Sequence, residues 1–192
     1  MNTEFSTISN LIKKRRTVKA PAMNGKKIPN AEIAALLELA DWAPTHGYTE
    51  PWRFVVYSEP KAFCEKHAEI YQQSTAPENF KEAVYNNLLN MGNTASHVVI
   101  AYMKRGENPN IPAFEEIAAT SCGIQNMLLG ATALNIGVYW GTGGATLRPA
   151  MKVFLGIEEQ DQVMGILYFG YADEHPEGKR RIPLEEKITW IE

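Results

Sequence analysis

The segment Ala113 to Asn135 constrains this chain more than any other. It reads as one long helix, yet it carries Ala118, Ala119, Ser121, Gly123, Gly130, Ala131 and Ala133. A glycine inside a helix costs roughly 1 kcal/mol relative to alanine. The close approach of another backbone is the simplest compensation, which places this helix at the centre of the fold or of a dimer. A small-residue core helix within a single chain is the alternative.

The remaining elements arrange themselves around it. A first helix is expected from about Thr7 to Arg16, capped by Ser6 or Thr7, with Ile8, Leu11, Ile12 and Arg15 on one face. Pro21, Gly25 and the lack of a helical period make Thr17 to Ile28 extended or loop. Asn30 is expected to cap a helix with Ile33, Leu36, Leu37 and Ala40 at i, i+3, i+4, i+7, which Pro44 ends. Strands are expected at Arg53 to Ser58, His97 to Met103, Gly137 to Trp140 and Val163 to Tyr171. Further helices are expected over Lys61 to Gln73, after Pro77 with Phe80, Val84, Leu88 and Met91 on one side, and over Pro149 to Phe154. Helices and strands mix without strict βαβ alternation, so the fold class is α+β. The 192 residues fit one domain, 1–192. The tail after the last strand, 172–192, ends Ile188, Thr189, Trp190, Ile191 and is expected to dock.

A formal net charge of −3 gives no electrostatic reason to expect nucleic acid or an anionic membrane as partner. The two cysteines, Cys64 and Cys122, lie far apart with no Cys/His cluster, so no metal site is expected and both are read as buried or half-buried thiols. With no apolar segment after a basic start and no run of membrane-spanning length, the chain is read as cytoplasmic.

Four segments carry candidate chemistry. Arg15, Arg16, Thr17 and Lys19 put three cations and a hydroxyl within five residues, a set able to hold a phosphate. In an extended chain Arg15, Thr17 and Lys19 point one way. The same cations also suit a solvated helix end. The loop Pro44, Thr45, His46 up to Pro51-Trp52 is stiffened by two prolines and presents backbone and short polar groups. Tyr139, Trp140, Gly141, Thr142 and Gly143 form a strand end and glycine loop where a backbone can approach a planar ligand. Its spacing does not match a dinucleotide fingerprint. Lys179 to Arg181 is a second basic cluster, equally compatible with a solvated tail.

Taken together these segments resemble the nitroreductase family. The resemblance rests on Arg-Arg-Thr with Lys19 two further on, Ala43-Pro44 six residues before Pro51-Trp52, Ala95-Ser96-His97-Val98-Val99 opening the middle strand, and Lys-x-Arg-x-Pro-Leu-Glu-Glu before an apolar tail. It implies an α+β sandwich with a central antiparallel-mixed sheet flanked by helices, in an intertwined homodimer with flavin mononucleotide (FMN) in the interface. It implies that Arg15 and Arg16 meet the phosphate and ribityl chain with Thr17 beside them, and that Lys19 approaches the pyrimidine edge. Pro44, Thr45 and His46 would come from the second subunit, Tyr139 to Gly143 would pack on the ring, and Lys179 and Arg181 would complete the phosphate site. The tail would wrap the partner. The implied reaction takes a hydride from NADH or NADPH through the flavin to a small-molecule acceptor, a nitroaromatic, quinone or similar electrophile, with ping-pong kinetics. No side-chain nucleophile or other catalytic residue is expected, because the redox work belongs to the cofactor. Thr17 stands where the family often has Ser, Glu50 where many have Gln, and Tyr48 where Asn is common. These departures bear on substrate preference.

Overall fold

The computed structural model describes residues 2–192. A four-stranded sheet lies between two helical layers. The strands are β1 (Trp52–Tyr57), β2 (His97–Met103), β3 (Gly137–Gly141) and β4 (Gln162–Gly170), in the order β1-β2-β4-β3. Every pairing is antiparallel. The expected mixed character reduces to one parallel bridge outside the strands, Thr17 beside Val138.

Side-chain alternation along the two central strands sorts the core. Val98, Ile100, Ile166 and Tyr168 face one layer; Val99, Ala101, Leu167 and Phe169 face the other. The first layer holds α3 (Pro60–Gln73), α4 (Glu82–Asn90) and α6 (Pro149–Leu155). The second holds α2 (Asn30–Asp41) and α5 (Ala113–Ala133). Burying each Val, Ile, Leu or Phe among these strand residues contributes about 1.5–3 kcal/mol before the opposing chain entropy.

The small residues of α5 are explained inside the chain. A Cβ on Gly123 would lie 3.0 Å from the Ala40 carbonyl oxygen, and one on Gly130 would lie 2.8 Å from Leu36 Cδ2. Helix α2 is therefore the backbone that comes close. The cysteine expectation needs correction for one residue: Cys64 is buried, but Cys122 is exposed on α5.

Two helix starts differ from expectation, each because a polar side chain is engaged elsewhere. Helix α1 spans Thr3–Lys14, and its cap is Asn2, whose side chain accepts the Phe5 N–H at 2.9 Å. Ser6 and Thr7 sit inside the helix and return their hydroxyls to the carbonyls of Asn2 and Thr3. Helix α2 includes Asn30 rather than being capped by it, since the Asn30 amide is bonded to His97 Nε2 at 2.9 Å. After Pro77 a single 3-10 turn precedes α4, and Tyr71 accepts the Lys81 N–H between them.

No residue of α1 is buried, and Phe5, Ile8 and Ile12 are exposed. The tail behaves alike: Ile182, Leu184, Ile188, Trp190 and Ile191 all remain exposed. The expected docking of the tail is therefore absent within a single chain. Among the described residues no helix is long and apolar enough to cross a membrane.

Candidate functional site

The basic segment lies beside β3, the strand that leads into the glycine loop. The Val18 N–H donates to the Val138 carbonyl at 3.0 Å, and Thr17 pairs in parallel with Val138. Residues 15–19 thus advance in the same direction as β3, toward Gly141. Val18 is buried against Gly137, while Thr17 and Lys19 face outward. The alternation expected for an extended segment holds for these three residues. The Arg16 guanidinium donates through Nη1 to the carbonyls of Lys13 and Arg15, both at 2.6 Å, at the end of α1. Gly178 packs directly on that guanidinium. Lys179 is the next residue, so the tail's basic cluster starts beside the first one. Lys179 and Arg181 are themselves exposed.

Beyond β3 the chain opens into a loop. A Cβ on Gly143 would meet nothing within 4 Å, whereas one on Gly144, with φ at 65°, would press on Leu88 and His67. One side of the loop is therefore open and the other packed. The Thr146 hydroxyl donates to the Gly143 carbonyl at 2.6 Å, and the Ala145 N–H donates to His67 Nε2 at 3.2 Å. Tyr139 stacks on Tyr168 with ring centroids 5.9 Å apart. Trp140 turns its indole N–H to the Met164 carbonyl at 2.9 Å and covers Gly165, whose φ of 143° marks the irregularity where β2 and β4 change register.

A cavity of about 80 Å³ adjoins this loop, lined among others by His67, Asn87, Leu88, Tyr139, Gly143 and Thr146. Sequence reasoning missed His67 and Asn87. They sit on α3 and α4 and reach the loop only through tertiary packing. The one available signal was a lone histidine within the apolar stripe Phe63, Cys64, Ala68, Tyr71. His67 is 1% exposed, and burial, then the nearby Arg148, push its pKa down to about 4. Its Nδ1 has no hydrogen-bond partner among the described residues.

The Pro44 loop lies elsewhere. His46 Nδ1 is 2.7 Å from Glu115 Oε2, in the first turn of α5. Thr45 Oγ1 lies 3.0 Å from Thr49 Oγ1 and accepts the Glu50 N–H at 3.2 Å. The loop includes two non-glycine residues in the left-handed region, Tyr48 at φ 55° and Glu50 at φ 40°. At the other end of α5, Lys14 Nζ donates to Asn135 Oδ1 at 3.3 Å. From Glu115 to Ala133 the helix rises roughly 27 Å. One chain thus brings Arg15 to Lys19, Tyr139 to Gly143 and the start of the tail cluster together, but holds Pro44, Thr45 and His46 far from them.

Among the described residues no group of three His, Cys, Asp or Glu side chains is placed to hold a metal ion. Ser96, His97 and Asn30 form a hydrogen-bonded chain that superficially suggests nucleophilic catalysis. Ser96 is fully buried and its Oγ accepts the Ile28 N–H at 2.7 Å, so this network is structural.

The model of the nitroreductase family matches residues 12–171. A protein of Bacillus subtilis (strain 168) named "Putative NAD(P)H nitroreductase YfhC" is 29% identical over 189 residues, covering 97% of this chain and 95% of its own. The crystal structure of a nitroreductase-like family protein from Bacillus cereus superposes with a TM-score of 0.81 at 29% identity, covering 96% of each chain. That of a nitroreductase with bound FMN from Bacteroides fragilis gives a TM-score of 0.69 at 25% identity and full coverage, 100% of each chain.

Proposed function

The chain belongs to the nitroreductase family, and from that premise we propose that it is a cytoplasmic homodimeric oxidoreductase. It holds one FMN per chain between the glycine loop and the basic segment. The observation that carries this reading is the open face of the loop at Gly143 beside the outward-facing Thr17 and Lys19. A planar ring needs a surface with no Cβ in the way, and its phosphate needs fixed cations. The loop beyond β3 offers the open surface, and the segment bridged to β3 offers the outward hydroxyl of Thr17 and the cation of Lys19, so the residues fit the cofactor.

Bound FMN supplies hydride chemistry, accepting from NADH or NADPH and delivering to a nitroaromatic, quinone or similar electrophile. The chain's residues position and polarise. Lys19 places a cation where negative charge develops on reduction, Arg15 and Thr17 hold the phosphate end, and Lys179 and Arg181 close on it from the tail. Arg16 contributes by fixing the end of α1. The two unpaired thiols suit a reducing compartment.

The separation along α5 supports the dimer reading. Pro44, Thr45 and His46 sit at its start and the basic segment near its end. A two-fold partner whose α5 runs antiparallel sets one chain's start against the other's end, completing two equal sites. The same association covers the exposed apolar faces of α1 and the tail. Edge strand β1 leaves one side unpaired, where its own Phe54 and Val56 lie near Leu37 of α2, a place where extended tail residues of the partner can pair.

The test is steady-state oxidation of NADH and NADPH by the purified protein with a panel of nitroaromatics, quinones and activated alkenes. Parallel double-reciprocal lines with a nitroaromatic or quinone are expected. A flavin-loaded protein that turns over none of the panel would reduce the reading to a flavin-binding module.

A further inference from the structure

We propose that His67 is a positioning residue for the flavin: its Nε2 lone pair anchors the glycine loop from beneath and so sets where the loop's backbone meets the ring. This rests on the reading above that the loop carries the cofactor.

The loop has little of its own to hold it. Three of its first four residues, Gly141, Gly143 and Gly144, are glycines, and glycine gives the chain the most freedom to lose. The Thr146 N–H and hydroxyl both turn back on the loop's own Gly143 carbonyl, and His67 Nε2 faces the Ala145 N–H at 3.2 Å and Thr146 Oγ1 at 3.4 Å. The Ala145 N–H to His67 Nε2 bond fixes the loop to the body of the protein. The imidazole also lies under Gly144, where a Cβ would come 3.1 Å from Nε2. The His67 ring stacks on Phe63 with ring centroids 5.6 Å apart.

The protonation state follows from the geometry. Nε2 accepts from a backbone N–H, so the ring proton sits on Nδ1. Burial and Arg148 keep the ring neutral at physiological pH, which preserves the lone pair. The tautomer leaves Nδ1–H buried without an acceptor. A residue that only filled this apolar pocket would be better replaced by phenylalanine. What the imidazole adds is an acceptor for one loop amide.

Two variants separate acceptor from shape. His67→Phe keeps the ring and loses the acceptor; His67→Gln keeps an acceptor at similar reach. The readouts are the FMN dissociation constant, from quenching of flavin fluorescence, and the midpoint potential of bound FMN. His67→Phe is expected to weaken binding about tenfold, unequally for oxidised and reduced flavin; a tenfold imbalance corresponds to about 30 mV for a two-electron couple. His67→Gln should recover most of both. Variants that match wild type in both readouts overturn the proposal, as does equal loss in both variants. Should His67→Phe fail to fold, the wild-type imidazole ¹⁵N spectrum decides. The Nδ1–H tautomer is expected, with Nε2 shifted as an acceptor; the opposite tautomer refutes the anchor. A wild type that binds no FMN defeats the functional reading itself, whereas one that binds it while the variants match defeats only the role of His67.

Discussion

His67 also makes a thermodynamic prediction that needs no cofactor. An imidazole in the unfolded chain titrates near 6.5, while in the fold burial and then Arg148 push it down to about 4. Between those values the unfolded chain binds a proton that the folded chain refuses. The stability from His67 is therefore complete above pH 6.5, falls as pH drops through the window, and stops changing below about 4. Lowering the pH from 7.5 to 5.0 should cost about 2 kcal/mol through this one group, taking about 1.36 kcal/mol per pKa unit. His67→Gln does not titrate and keeps an acceptor. The assay is urea unfolding of both proteins at the two pH values and one protein concentration, since a dimer's stability depends on it. The wild type should lose about 2 kcal/mol more than the variant over this interval. His97, whose pKa is also lowered, chiefly by burial, is common to both and cancels. Equal losses in the two proteins would refute the buried neutral histidine.

Other substitutions probe other parts of the account. Gly143→Ala should leave stability within about 0.5 kcal/mol, because the added Cβ meets nothing within 4 Å; yet it should weaken FMN binding, measured by flavin fluorescence. Glu116 is 1% exposed, pairs with Arg105 and accepts the Gly106 N–H. Glu116→Gln should cost about 3 kcal/mol in urea unfolding by leaving the guanidinium without its counter-charge. Lys19→Ala should lower the midpoint potential of bound FMN, read by spectroelectrochemistry, because it removes a cation that favours the reduced ring.

Regular elements with strong local signals were legible in the sequence. Strand β2 was expected at His97 to Met103, the residues it occupies, because a run buried on both faces between turn residues has few other solutions. Helices α3 and α5 were placed within a residue or two at their ends. Caps were less legible: Asn30 and Ser6 are good cap residues, and only tertiary partners show that their side chains are used otherwise. The basic segment and glycine loop were legible as chemistry, but their adjacency depends on the bridge between Thr17 and Val138, a contact 121 residues apart in sequence. Asn87 was invisible for the same reason, and His67 showed only as a lone histidine in an apolar stripe. The apolar tail was recognised as needing cover, and a single chain does not supply it.

The most direct test of the central claim is the visible absorption spectrum of the purified protein, followed by heat release and identification of any chromophore. The account predicts oxidised flavin bands and FMN at about one per chain. A protein that is colourless, and remains so after incubation with FMN and desalting, would contradict it.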